Sequence, residues 1–214
     1  MNSRIRKYAD SSHQVFRVLE QVSLDTSGTL VDIGGSTGYV AAAFKGLYPE
    51  WRVLNLDISA AAVRTGRSLF PAIDHHVVDI TAEERPLKNV SADIVLVSAV
   101  LSMVPRENLL TAVAHIDHLV ATGGLLIVYD YLSVLPRANA NKHHPGQFVF
   151  KVDYSEIFLS SNLYRRQSVV SATLGSQYAS EGDLSDIDDN RVTLSILRKV
   201  DPLVSHVTTT PNSR

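Results

Sequence analysis

The chain has 214 residues, 45% hydrophobic and 20% charged, with 20 Lys and Arg against 22 Asp and Glu for a formal charge of −2. That composition belongs to a folded chain, the length fits one large domain or two small ones at most, and the near-neutral charge leaves no electrostatic footprint for non-specific nucleic-acid or membrane-surface binding. There is no cysteine, which excludes disulfides, thiolate catalysis and cysteine-ligated zinc or iron–sulfur centres.

The basic segment Met1–Lys7 runs into Tyr8-Ala9-Asp10 and not into an apolar stretch of signal-peptide length; a cytoplasmic protein is expected. The longest apolar run, Ile94 to about Val104, is too short to cross a bilayer. A helix is expected from about Ser11 to Val22, with Val15, Val18, Leu19 and Val22 on one face. Thr29 to Ile33 reads as a buried strand that ends in Gly34-Gly35-Ser36-Thr37-Gly38, and Tyr39 to Leu47 reads as the helix after it. Arg52 to Asp57 is the next strand, and Ser59 is placed to cap a helix running to about Leu69. His75 to Asp79 is a short strand and Asp93 to Val97 a continuous apolar one. A helix from about Glu107 to Val120 follows, with Gly123-Gly124 as its stop and Leu125 to Tyr129 as the fifth strand.

Strands apolar on both faces, separated by helices, imply a parallel α/β sheet with right-handed crossovers. Residues 132–152 show no period and are expected to form a long loop. A short helix is expected around Tyr154 to Leu163, then two extended segments, Gln167 to Leu174 and Arg191 to Leu197, as an antiparallel hairpin on one sheet edge. The expected architecture is a seven-stranded doubly wound sheet, five parallel strands plus a C-terminal antiparallel hairpin. It occupies one domain over residues 1–200, with a polar tail over 201–214.

Val31-Asp32-Ile33-Gly34-Gly35-Ser36-Thr37-Gly38 is the most informative segment. Glycines between the first strand and the first helix let a ligand approach the backbone, and amides at a helix N-terminus suit an anion. A dinucleotide fingerprint would need glycines where Ser36 and Tyr39 stand, and no Gly-Lys-Ser/Thr ending marks a P-loop. An acidic residue followed by Gly34, Gly35 and Gly38 resembles motif I of the class I S-adenosylmethionine-dependent methyltransferases. It is especially similar to the Asp-x-Gly-Gly-Gly-Thr-Gly form of small-molecule O-methyltransferases, from which Ser36 departs. Asp57, Asp79, the run from Asp93 to Pro105 and Gly123 to Ile127 fall in register with the family's later motifs.

The resemblance implies a Rossmann-like methyltransferase fold and S-adenosyl-L-methionine as cofactor. It implies cofactor contacts from Asp32, Gly34, Gly35, Ser36, Gly38, Asp57, Ile58, Asp79, Ile80 and Ser98, with Asp57 on the ribose hydroxyls and Asp79 at the adenine amino group. The implied reaction is methyl transfer to an oxygen or nitrogen of a small metabolite. A cofactor-binding but inactive partner or regulatory subunit is the alternative, because Ser102 and Met103 stand where relatives carry histidine. Val97-Ser98 occupies the place of the aspartate of metal-dependent relatives, so no required metal is expected. The sequence after the fourth strand also lacks the Asp/Asn-Pro-Pro-Tyr motif of nucleic-acid amino-methylating enzymes. The candidate base is His144, beside His143 in the loop after the fifth strand. Tyr129, Asp130 and Tyr131 are candidates to touch the acceptor, and Tyr8 to fold over the cofactor. His75 and His76 read as structural or exposed, and His115 and His118, at i and i+3, lack a third ligand. Partners are then a small acceptor molecule, with no nucleic acid or membrane, and a homodimer is left open.

Overall fold

A computed structural model describes residues 14–133, 135–141, 145–173 and 191–201. The chain runs through α1 (Gln14–Leu19), β1 (Thr29–Ile33), α2 (Tyr39–Leu47), β2 (Arg52–Asp57), α3 (Ala60–Leu69), β3 (Asp74–Val77) and β4 (Ala92–Ser98). It continues through α4 (Leu109–Leu119), β5 (Val120–Tyr131), β6 (Arg137–Ala140), β7 (Phe148–Lys151), α5 (Ser155–Ser160), β8 (Tyr164–Thr173) and β9 (Arg191–Lys199). Single turns of 3-10 helix at Leu101–Met103 and Arg106–Asn108 link β4 to α4.

The main sheet has seven strands in the order β3-β2-β1-β4-β5-β9-β8. β1 to β5 are parallel, and β9 runs antiparallel between β5 and β8. Successive residues of a strand point to opposite faces, and here both faces are apolar. Val31, Val95, Val97, Leu126 and Val128 pack on one side with Ala112 and Ile116 of α4 and Phe158 of α5. Leu30, Ile94, Leu96 and Ile127 pack on the other with Val15 and Leu19 of α1 and Phe44 of α2. Helices on both faces of a parallel sheet make the doubly wound layer order, and the expected fold class holds.

Most strand and helix limits fall where the sequence places them, because β-branched runs and helix caps are local signals. Ser59 accepts from the Ala62 N–H at 3.2 Å as the expected N-cap of α3. Three expectations are corrected. β3 ends at Val77, so Asp79 lies on the loop after the strand. Gly123-Gly124 does not stop α4, which ends at Leu119; the pair lies inside β5. Gly123 takes φ +81° there, and the β4–β5 register shifts between Ala92 and Ile94, the signature of a bulge. Within 132–152, β6 and β7 pair as a separate antiparallel ribbon. Arg137-Ala138-Asn139-Ala140 carries no β-branched or aromatic residue, so its strand character comes from pairing with Phe148–Lys151.

Candidate functional site

The strand order reverses between β1 and β4, and open α/β sheets bind ligands beyond the carboxyl ends of the strands at such a point. A cleft of about 290 Å³ lies there, lined by Ile33 and Gly34 from the end of β1, Leu56, Asp57 and Ile58 from β2, and Val78, Asp79, Ile80 and Thr81 after β3. Ala99, Val100, Met103, Val104 and Pro105 after β4 close the other side.

The turn after β1 is held mostly by the protein itself. The Gly34 and Gly35 N–H groups donate to the Leu56 carbonyl at 2.7 and 3.3 Å, and the Gly38 N–H donates to Gly35 at 2.8 Å. Ser36 sits at φ +54°, a left-handed conformation that a non-glycine residue seldom adopts. Its N–H donates to Asp57 Oδ2 at 2.8 Å, and its carbonyl accepts from Asn55 Nδ2 at 2.9 Å. Of the turn's amides, those of Gly34, Gly35, Ser36 and Gly38 are therefore already spent within the protein.

Asp57 also accepts from the Ser59 N–H at 2.8 Å. Each of its oxygens thus takes one backbone donor and keeps a second lone pair. Asp79 accepts from the Thr81 N–H at 2.8 Å and the Thr81 hydroxyl at 2.6 Å through one oxygen, which closes the loop after β3 into a tight turn. His115 of α4, buried, reaches the Ile80 carbonyl with Nδ1 at 3.0 Å. That contact braces the same loop from below and gives His115 a structural role. The cleft is therefore an apolar slot, formed by Ile33, Ile58, Ile80, Val100 and Met103, with one acceptor-only carboxylate at each end of its β2–β3 side. Such a slot suits a flat apolar ring system carrying hydroxyl and amino donors. A nucleoside has that chemistry, so these residues fit S-adenosyl-L-methionine.

The sequence-derived site residues divide into three groups. Gly34, Asp57, Ile58, Asp79 and Ile80 line the cleft. Asp32, Gly35, Ser36, Gly38 and Ser98 do not; they lie behind or beside it. Asp32 is 1% exposed, and its carboxyl is pushed up to about 7, first by burial and then by the nearby Asp57 carboxylate, with the Ala41 backbone N–H acting in the opposite sense. No hydrogen bond of good geometry reaches either of its oxygens among the described residues. At Gly35 a Cβ would collide with Asn55 and Asp32, so interior packing by itself requires the glycine. Ser98 pairs within the sheet opposite Tyr129, and Ala99, at φ +54°, turns the chain so that Ala99 and Val100 face the cleft in its place. His143 and His144 lie outside the described residues, as does Tyr8.

On the acceptor side, Asp130 is buried and not free to touch a ligand. Its oxygens accept from the Ser102 N–H at 3.1 Å and the Tyr131 N–H at 2.8 Å, and burial pushes its carboxyl up to about 6. Ser102 is fully buried, whereas Met103 lines the cleft. Val78, Thr81, Val104 and Pro105 were not legible as site residues, since only the packing of the two loops brings them to the slot.

The class that this fold and cleft define is the class I methyltransferase fold. Residues 31–126 match the family model described as a methyltransferase domain. The chain is 31% identical over 100 residues to a trans-aconitate 2-methyltransferase of Azoarcus sp. (strain BH72), a match that covers 46% of this chain and 38% of that relative's length. It resembles the Burkholderia thailandensis 1,6-didemethyltoxoflavin N1-methyltransferase, solved with 1,6-didemethyltoxoflavin and S-adenosylhomocysteine. The TM-score is 0.63 and the identity 14%, over 93% of this chain and 79% of that one. It also resembles the N-methyltransferase NodS of Bradyrhizobium japonicum WM9 in complex with S-adenosylhomocysteine, with a TM-score of 0.58 and 16% identity over 92% of this chain and 86% of that one. The chain thus has the class I methyltransferase fold, and its residues 31–126 are similar to a methyltransferase domain.

Proposed function

We propose that the chain binds S-adenosyl-L-methionine in the cleft and catalyses transfer of its methyl group to an oxygen or nitrogen of a small metabolite. The observation that carries this reading is the apolar slot at the β1–β4 switch point with Asp57 and Asp79 on its β2–β3 side. Asp57 would accept from the ribose hydroxyls through its remaining lone pairs. Asp79 would accept from the adenine amino group, with Ile58, Ile80 and Val100 packing against the ring. The sulfonium supplies an already activated methyl group, so the task left to the protein is to hold the acceptor in line and exclude water. A base is needed only where the acceptor must lose a proton, and His144 is proposed for that role. The named small-molecule substrates of the trans-aconitate and toxoflavin relatives support a metabolite acceptor. A second reading, a cofactor-binding but inactive partner, is favoured by the buried Ser102 and by Met103 where a histidine base stands in relatives. Turnover on fractionated cell extract separates the two.

Calorimetric titration with S-adenosylhomocysteine tests the cofactor assignment. Charge-assisted hydrogen bonds contribute about 1.5–3 kcal/mol each, so Asp57→Ala should bind at least about tenfold more weakly than the parent chain. Equal affinity of the two would reject the assignment.

A further inference from the structure

One level of the sheet is polar where its neighbour is apolar. On the α2 face, β1 and β2 present Leu30 and Val53, both buried, and two residues further along they present Asp32 and Asn55. The register pairs Asp32 with Asn55 and Asn55 with His75 of β3, so the three stand side by side across three adjacent strands. They are 1%, 0% and 4% exposed. Burying three polar side chains at one level is costly unless they satisfy one another.

The hydrogen bonds show how they do so. His75 Nε2 lies 3.3 Å from the Phe70 carbonyl, which only accepts, so Nε2 carries the proton. Nδ1 is then the acceptor, and Asn55 Nδ2 lies 3.2 Å from it. The other proton of the same amide goes to the Ser36 carbonyl at 2.9 Å. This fixes the orientation of Asn55 and turns its Oδ1 toward Gly35, where a Cβ would meet both Asn55 Oδ1 and, at 2.5 Å, Asp32 Oδ2. Asn55 Oδ1 and both Asp32 oxygens receive no hydrogen bond of good geometry among the described residues, the Ala41 N–H acting on Asp32 only weakly. Both oxygens face the space beside Gly35, where two acceptors repel unless one carries a proton, and only Asp32 can carry it. Gly38 and Gly66 leave the space that the His75 ring fills: a Cβ on either would lie 2.8 or 2.6 Å from its Cε1. Arg67 of α3 grips the His75 carbonyl at 2.7 and 3.2 Å, so the strand end cannot drift.

The geometry points to Asn55 and His75 as positioning residues for the cofactor turn: protonated Asp32, Asn55 and His75 form a buried ladder that holds the Ser36 carbonyl. Asp57 holds the Ser36 N–H on the opposite side of that residue, so the strained left-handed Ser36 is clamped at both of its backbone groups. The same clamp leaves Asp57, the residue assigned to the ribose, in a fixed orientation. The groups that face the ladder with charge are Asp57 beyond Asp32, and Arg67, Asp74 and His76 around His75. Burial holds the His75 imidazole below its ordinary value, with smaller contributions from the Phe70 carbonyl, which raises it, and from Arg67, which lowers it. The neutral ring that the ladder needs is therefore the one present at neutral pH.

The role rests on the cofactor reading above, and the test keeps the two apart. S-adenosylhomocysteine affinity is measured for the parent chain, Asn55→Leu, His75→Gln and His75→Phe. Glutamine can accept from Asn55 and donate to Phe70, whereas phenylalanine fills the space without polar atoms. Asn55→Leu and His75→Phe should bind at least fivefold more weakly, and His75→Gln within twofold of the parent. Parent-like affinity in Asn55→Leu, or equal affinity in His75→Phe and His75→Gln, would overturn the ladder while leaving the cofactor reading intact. No binding by the parent chain would overturn both. Nitrogen-15 spectra of the parent chain provide a measurement that needs no variant to fold. They should show His75 as the neutral Nε2–H tautomer, and an Nδ1–H tautomer or an imidazolium at pH 7 would overturn the ladder.

Discussion

Asp32 is a carboxyl whose chemistry departs far from its free behaviour. Its folded carboxyl keeps a proton to about 7 against a reference value of 3.8. Folding therefore takes up a proton between those values, and stability falls as pH rises through that window, with the loss complete above about 7. A shift of that size corresponds to about 4 kcal/mol at one unit per 1.36 kcal/mol. His75 acts in the other sense, because its lowered value withdraws stability as pH falls below its unfolded 6.5. The comparison must therefore isolate Asp32. Asp32→Asn mimics the neutral acid and can still donate to Asn55, so its stability advantage over the parent should grow from pH 4 to 7 and then level off. Urea melts at pH 4, 5.5, 7 and 8 measure it, and a constant difference across the series would show that folding leaves the Asp32 carboxyl unshifted.

At the scale of elements, the β6–β7 ribbon depends on one arginine. Arg106 donates to the Leu101 and Val104 carbonyls at 2.7 and 2.6 Å and to the Tyr154 hydroxyl at 3.0 Å, and its guanidinium lies 4.1 Å from the centre of the Phe150 ring. Tyr154 in turn donates to the Phe150 carbonyl at 2.8 Å. The turn after β4, the ribbon and the start of α5 are thus joined through a single planar group, which a lysine cannot replace. Arg106→Lys should lower stability by about 2–4 kcal/mol, from two or more charged hydrogen bonds partly replaced. It should also expose the ribbon amides first in hydrogen exchange. Unchanged protection of residues 148–151 would show that the ribbon stands without the clamp.

At the scale of the molecule, the sheet brings chain segments far apart in sequence to one carboxyl-end cleft and places no metal-ligand cluster among the described residues. No three His, Asp or Glu side chains converge there, and the Val97-Ser98 strand end offers no carboxylate. Turnover, measured with any acceptor that is found, should survive EDTA; its loss and recovery with magnesium would require oxygen ligands not foreseen at that strand end. No helix among the described residues is long and apolar enough to cross a membrane.

The sequence by itself determined the strand–helix alternation, the glycine turn after β1 and the acidic positions Asp57 and Asp79. Each of these is a local signal: a β-branched run, a turn that admits a left-handed backbone, a carboxylate at a strand end or just beyond it. The ribbon within 132–152 was not legible, since Arg137–Ala140 becomes a strand only by pairing with Phe148–Lys151. The exchange of Ser98 for Ala99 and Val100 at the cleft was hidden as well, because a positive φ at Ala99 reverses which side chains face inward. Asn55 carried no sequence signal, and His75 read only as structural or exposed. An asparagine inside an apolar strand and a histidine opening the next one gain a role only when strand register sets them beside Asp32, and register is a property of the folded sheet. Burial then decides the protonation of Asp32, which no spacing along the chain encodes.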